Sequence, residues 1–203
     1  MAAELDAEPR VAFRRPTREH AVALARARFL AGERVEMNQL AAELDIGRTT
    51  LYRWVGEREQ LVGEIFGQLV DEWIALVEPK AKGTGVDRFL DVIRRYLEHA
   101  AGSPPLTAFT EREPALALRV LLDRDGQVAR HSAEQIRRLL RESDPTVELP
   151  DETVRAIVLV AIGLVWAYIA TGQEPDIDGA VTLTGTLVES ARPSKESVRS
   201  SSS

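Results

Sequence analysis

The chain has 203 residues, 44% hydrophobic and 29% charged, with 26 Lys+Arg against 32 Asp+Glu for a formal net charge of −6. That length is enough to bury a sizeable core, in one larger domain or two small ones. The absence of cysteine excludes disulfides, thiolate metal sites and cysteine nucleophiles, and it fits a reducing cytoplasm.

Almost every periodic segment has helical spacing and no run alternates apolar and polar residues, so the expected fold class is all-α. The first residues, MAAELDAEPR, lack a basic region followed by an apolar run, and no secretory signal is expected. Residues 1–15 read as a polar, arginine-bearing arm. Pro16 and Thr17 mark the start of a first helix to about Ala31, ended by Gly32. A short helix at about 37–44 follows, then a turn at Asp45–Gly47, then another short helix at about 48–54. A longer helix is expected over about 57–78, with Val62, Ile65, Phe66, Leu69, Trp73 and Leu76 on one face.

PKAKGTG (79–85) reads as a linker. Beyond it Val86, Phe89, Leu90, Ile93, Tyr96, Leu97 and Ala100 form an apolar stripe opposite Asp87, Arg88, Asp91, Arg94, Arg95 and Glu98. Prolines at 104, 105 and 114 divide the next stretch into short helices at about 105–111 and 114–123. Helices at about 127–143, 151–171 and 177–191 complete the series. From Ala156 to Ala170, AIVLVAIGLVWAYIA is apolar over fifteen residues. A membrane span needs about 20, so a buried core or interface helix is the better reading. The tail from 193 to 203 is low in hydrophobicity and expected to be disordered.

Charge is unevenly placed. Residues 10–58 hold ten arginines and six acids, a local +4 that leaves −10 for the remainder. A cationic N-terminal quarter on an acidic body points to an anionic partner for one end only. The stretch LDIGRTTLYRW (44–54) sits in that quarter. Two short helices joined by a tight turn, with Leu40, Ala41, Leu44, Ile46, Leu51 and Val55 apolar, make a helix-turn-helix. Neither helix would persist alone, so the apolar residues must pack on neighbours such as the 17–31 helix. Arg48, Thr49, Tyr52 and Arg53 remain outward, a set suited to the DNA major groove.

MNQLAAELDIGRTTLYRWVGEREQLVGEIF (37–66) resembles the DNA-binding signature of TetR-family transcriptional repressors, roughly I-A-x-x-x-G-V-S-x-x-T-L-Y-x-x-F-x-x-K-x-x-L. Leu40-Ala41 matches its start, and Thr50, Leu51, Tyr52 and Leu61 match directly. Asp45 stands in place of the usual glycine, Gly47 of the serine N-cap, Val55 of an aromatic and Arg58 of a lysine. Aspartate tolerates a left-handed turn, and glycine caps a helix at a cost of only a few tenths of a kcal/mol. Arg58 keeps the charge.

The resemblance implies an all-α fold of about nine helices, with a helix-turn-helix domain at 16–60 and a ligand-binding and dimerisation domain at 61–192. It also implies roles. Arg48 and Thr49 are assigned to base edges, and Thr50, Tyr52, Trp54 and Arg58 to the phosphate backbone, with Arg53 on the same face. Asn38, at the start of the second helix, is a further phosphate candidate. Tyr52 and Trp54 also fit as amphipathic core residues. Arg10, Arg14 and Arg15 fit either a minor-groove arm or a solvated tail.

In such a family the C-terminal pair of helices forms the homodimer, here 156–170 and 177–191 (Ile177, Ala180, Val181, Leu183, Thr184, Leu187, Val188), with Gly163 a point of close approach. A pocket for a small, mostly apolar effector is expected among the middle helices, with Phe89, Ile93, Tyr96, Phe109, Leu116, Leu122 and Trp166 as candidates. Arg119, which interrupts ALALRVLL, and His131 and Gln135, on the face of Val128, Ile136 and Leu139, would supply polar contacts there or sit satisfied at a helix edge. The C-terminal half is loosely similar to the QsdR-type subgroup, which suggests a lactone-like effector.

No catalytic signature is present: no G-x-S-x-G elbow, P-loop or dinucleotide fingerprint. The histidines at 20, 99 and 131 lack metal-ligand spacing. The expectation is a cytoplasmic, ligand-responsive repressor that binds double-stranded operator DNA as a dimer, with no cofactor, no metal and no membrane. The alternative is a helical protein-interaction module without specific DNA binding.

Overall fold

The computed structural model describes residues 16–191, and every regular element among them is helical. The expected arm at 1–15, with Arg10, Arg14 and Arg15, and the tail at 193–203 lie outside the described residues. Helix α1 (Arg18–Leu30) ends at Gly32, φ 75°, where the Glu33 N–H reaches the Arg28 carbonyl and the Gly32 N–H that of Phe29. This pair of bonds closes a helix through a left-handed residue.

Asp45 does the same for α2 (Met37–Glu43), at φ 52°, with the Ile46 N–H on Ala41 O at 3.0 Å and its own N–H on Ala42 O at 3.2 Å. It is the one non-glycine with positive φ among the described residues. The turn aims α3 (Arg48–Val55) away from α2, and the Gly47 carbonyl accepts the N–H groups of Thr50 and Leu51. Gly56, φ 71°, turns the chain into α4, and Gln60 Oε1 accepts the Glu57 N–H at 2.9 Å. That left-handed φ is what calls for glycine here, and a Cβ at position 56 would in addition displace the Gln60 amide, whose oxygen lies 1.8 Å from its position.

Helix α4 (Arg58–Val77) is buried around most of its circumference. The single-face expectation is corrected in two ways. Leu76 is 48% exposed, whereas Val70, Ile74 and Val77 are buried beside Leu61, Val62 and Ile65. A helix apolar on several sides belongs in the centre of a bundle. It packs most extensively on α8 and also meets α1, α3, α5 and α7. Phe66 joins Phe29 of α1 and Phe109 of α6 in an edge-to-face cluster with centroids 5.3–5.7 Å apart.

After a 3₁₀ turn at Glu78–Lys80 come α5 (Gly85–Ala101), α6 (Pro104–Arg112), α7 (Pro114–Leu122), α8 (Gln127–Ser143) and α9 (Asp151–Ala161). The unbroken helix expected to 171 is instead interrupted by a π turn at Ile162–Trp166 before α10 (Ala167–Ala170). The Leu164 carbonyl, inside that turn, accepts the Asp176 N–H at 2.8 Å. Asp176 also caps α11 (Ile177–Ser190), accepting the Gly179 N–H at 2.8 Å. With α9, the π turn and α10 taken as one rod, the described residues hold ten helices, matching the ten segments read from the sequence and close to the nine or so that the resemblance implies.

Asp45→Ala forces a side chain without local hydrogen-bonding capacity into the left-handed region and is expected to cost about 1 kcal/mol or more, while Asp45→Gly should stay within about 1 kcal/mol of wild type. Urea unfolding of the two variants checks this.

Candidate nucleic-acid interface and apolar cavity

Leu51 and Val55 bury one side of α3. Arg48, Thr49, Tyr52 and Arg53 are exposed on the other, with Thr50 half-buried between the faces. Arg48 Nη1 lies 3.4 Å from Asn38 Oδ1, so the structure brings these two candidates together at one end of the face. Trp54 is half-buried and packs on the core, and its carbonyl accepts Arg18 Nε at 2.9 Å.

Ion pairing separates the arginines of this region into two groups. Arg18 holds Glu64, Arg26 holds Glu72, and Arg28 bridges to Glu43. Arg34 and Arg58 converge on Glu113. Arg48 and Arg53 have no carboxylate partner among the described residues. Among the described residues of the N-terminal quarter, the free positive charge is thereby concentrated on the outward face of α3.

Arg58 departs from expectation. Its guanidinium makes a two-pronged pair with Glu113, at 2.6 and 2.8 Å, and its Nε donates to Val35 O at 2.6 Å. A side chain so occupied is a joint between elements, not an outward phosphate contact. Glu113 ends α6 and begins α7, and Arg112 beside it donates to the Gly32 carbonyl at 3.1 Å. The α6–α7 corner is therefore tied twice to the single loop between α1 and α2, at Gly32 through Arg112 and at Val35 through Arg58. Hydrogen bonds from Arg58, with the charges of Arg58, Arg34 and Arg112, hold the Glu113 carboxyl below the usual carboxylate range.

Between α4, α5, α8 and α9 lies an apolar cavity of about 70 Å3. Phe66, Trp73, Leu97, Val128, Ile157 and Ile162 are among its walls, and Ser132 and Tyr96 bring hydroxyl groups. Loss of water around Tyr96, with the Asp71 charge adding to it, pushes its phenol well above the ordinary tyrosine value, so it stays neutral and able to donate.

Of the ten candidates, Ile93, Tyr96 and Trp166 line this cavity. The other seven do not. Phe89 and Leu116 are buried elsewhere, and Phe109 belongs to the aromatic cluster. Arg119 is exposed and pairs with Glu59 at 3.2 Å. Leu122 is exposed and borders a separate outer cleft. His131 Nδ1 and Gln135 Nε2 both bind Asp71, at 2.6 and 2.7 Å, which satisfies them at the α4–α8 contact. Gly67 makes room for this, since a Cβ there would lie 2.7 Å from the His131 ring. The walls missed by sequence reasoning come mainly from α4 and α9, whose apolar residues on several faces give no single direction to follow.

Glu113→Gln removes the charge from a joint that Arg58 still requires, and a loss of about 2 kcal/mol is expected in urea unfolding. Because the folded carboxyl lies below its unfolded value, the stabilisation is complete above the ordinary Glu range and lost as pH falls through the depressed value. The gap between wild type and variant should therefore close only in acid.

Residues 84–189 match the family described as tetracyclin repressor-like, C-terminal domain. The fold is similar to that of the R. erythropolis transcriptional repressor QsdR, from the TetR family, at 28% identity and a TM-score of 0.79, covering 88% of this chain and 98% of that one. It is also similar in fold to the TetR-family repressor AlkX from Dietzia sp. strain DQ12-45-1b, implicated in biodegradation of n-alkanes, at 21% identity and a TM-score of 0.56, covering 87% and 96%. No curated protein matches in sequence. With a helix-turn-helix whose free arginines face outward and a C-terminal half that matches over more than half the chain, this protein belongs to the TetR family of DNA-binding, ligand-responsive transcriptional repressors.

Proposed function

We propose that the chain binds operator DNA through α3 and that a small, mostly apolar effector releases it by filling the cavity beside α4. The observation that carries this reading is the course of α4. Its first residue, Arg58, is bonded into the reading head, and its middle, Phe66 to Ile74, walls the cavity. The seventeen residues from Arg58 to Ile74 form a rod whose sixteen rises span about 24 Å, so displacement at one end is felt at the other. Linkage requires the effector to bind the released state more tightly, by about 1–3 kcal/mol for ordinary coupling.

In this reading Arg48 and Thr49 meet base edges, while Asn38, Thr50, Tyr52 and Arg53 meet backbone phosphates. Trp54 supports α3 from beneath. Two such heads are needed for a two-fold operator. The helix Asp151–Ala170 is long and apolar enough to cross a membrane, with an 18-residue stretch of mean hydropathy 2.1 of which only 33% is buried within one chain. We read its uncovered side as the face for a second copy. Leu159, Gly163 and, on α11, Leu183 are exposed there, and a Cβ at Gly163 would meet nothing within 4 Å. Ala180, Val181, Thr184 and Val188 face the chain's own core and are not free to serve. A binding regulator of this kind acts in the cytoplasm and performs no catalysis. A lactone is one effector consistent with an apolar wall bearing hydroxyl donors.

Binding to the gene's own upstream DNA, compared with random duplex across a salt series, tests the reading. Tight binding that exceeds random by orders of magnitude and falls steeply with salt is expected. Equal, weak binding to both would favour a helical interaction module. Arg48→Ala should cost about 1–3 kcal/mol and relax preference at one base pair, whereas Arg53→Ala should weaken all sequences alike and reduce the salt slope by about one. Uniform weakening by Arg48→Ala would move that residue to the phosphates.

A further inference from the structure

A second concavity, of about 160 Å3, opens on the outside of the body between α7, α8 and α9. Its floor is apolar, with Leu122 left 47% exposed and Leu159, which also belongs to the face read above for a second copy, 46% exposed. Leu121, Val158 and Ile162 line this cleft and the inner cavity alike, so one layer of side chains separates the two spaces. Ile162 begins the π turn, where the helix is already out of regular register.

The rim carries Arg124, Arg130, Arg137 and Arg155, with the carboxylates of Asp123 and Asp151. Asp151 is paired to Arg137 at 2.6 Å, and Asp123 Oδ1 accepts the Asp125 N–H at 3.2 Å. Arg124, Arg130 and Arg155 have no carboxylate within ion-pair distance among the described residues. Acids outnumber bases in this chain, 32 to 26, and most of its described arginines are paired. The unpaired ones are Arg48 and Arg53 on the α3 face, these three on the rim, and Arg141. The first pair faces an anionic partner in the function proposed above. The second group surrounds an apolar floor.

We propose that this cleft is the outer half of the effector site and takes an amphipathic carboxylate. The alkyl chain passes between Leu121, Val158 and Ile162 into the inner cavity, and the carboxylate is held at the rim by Arg130 and Arg155. Guanidinium is suited to that task because its planar fork matches both carboxylate oxygens. The inference rests on the effector reading above and narrows it, since a neutral molecule would leave the rim arginines unused.

The test titrates the full chain with decanoate and with decanol and follows tryptophan fluorescence, because Trp73 and Trp166 line the inner cavity. Decanoate is expected to bind about tenfold more tightly or better. In the Arg130→Gln and Arg155→Gln double variant the preference should disappear while the affinity for decanol is kept. Equal affinity of the two compounds for wild type, or no response to either, overturns the carboxylate assignment. If sedimentation shows that Arg155→Gln turns a dimer into a monomer, the rim belongs to the subunit interface and the proposal also falls. Release of operator DNA separates the two levels. Release by a neutral lactone or alkane but not by decanoate removes only the carboxylate, and no release by any of them removes the effector reading as well.

Discussion

The pair between Arg58 and Glu113 joins the reading head to the body of the molecule, beside the Phe29–Phe66–Phe109 cluster. The guanidinium takes both oxygens of the carboxylate and the Val35 carbonyl, and the pair is largely shielded, with side-chain exposures of 21% and 12%. Shielding makes the bond directional and costly to leave half-made. Its position gives it consequence. Arg58 begins the helix that runs through the body, and Glu113 is the corner between two helices, one of which, α6, touches α1 through Phe109 and Phe29. The reading head is thus seated on the α6–α7 corner by charge and by aromatic packing at once.

The rest of the head follows from that seat. Arg18, Arg26 and Arg28 are spent on Glu64, Glu72 and Glu43, which lock α1 to α4 and α2. Neutralising the inward arginines leaves the outward ones as the local field. An acidic protein can therefore present a cationic helix to an anionic polymer without being cationic overall. The same economy separates two kinds of polar residue in the body. His131 and Gln135 look like ligand contacts in the sequence because they fall on an apolar helix face, and they are instead occupied by Asp71 of α4.

Helix positions were legible along nearly the whole chain because their ends carry local chemistry: Thr17 and Gly32 around α1, Asp45 and Gly47 between α2 and α3, and prolines ahead of α6 and α7. The outward set on α3 was legible for a related reason, since two buried residues, Leu51 and Val55, orient the short helix. The cavity was less so. Ile93, Tyr96 and Trp166 were visible as large residues on a stripe, but α4 supplies Phe66, Leu69, Val70, Trp73 and Ile74, which lie on more than one face. A periodic pattern shows which side of a helix is apolar. It does not show which of several apolar sides meets a void. Arg58 was misread because its true partner, Glu113, is 55 residues away, beyond the reach of a local motif. The π turn has no local marker at all, since the tertiary bond from Asp176 to Leu164 accompanies it.

The cavity itself sets the terms of any response. About 70 Å3 holds several waters but is far below the roughly 300 Å3 at which ordinary ligand pockets begin. An effector must therefore separate walls that are packed at protein density, and packed walls move as units. The walls differ in how they are held. On one side α4 is held by the Glu113 joint, the phenylalanine cluster and the Asp71 contacts. On the other, the α9 rod is interrupted by the π turn, where a single bond from Asp176 meets the Leu164 carbonyl. Displacement on the α4 side reaches the reading head directly. Displacement on the α9 side alters the helix whose outer face carries Leu159 and Gly163, the surface proposed for the second copy. In the function proposed above, either movement would change the separation of two reading heads, so a wedge between these walls would act on operator geometry whichever wall yields.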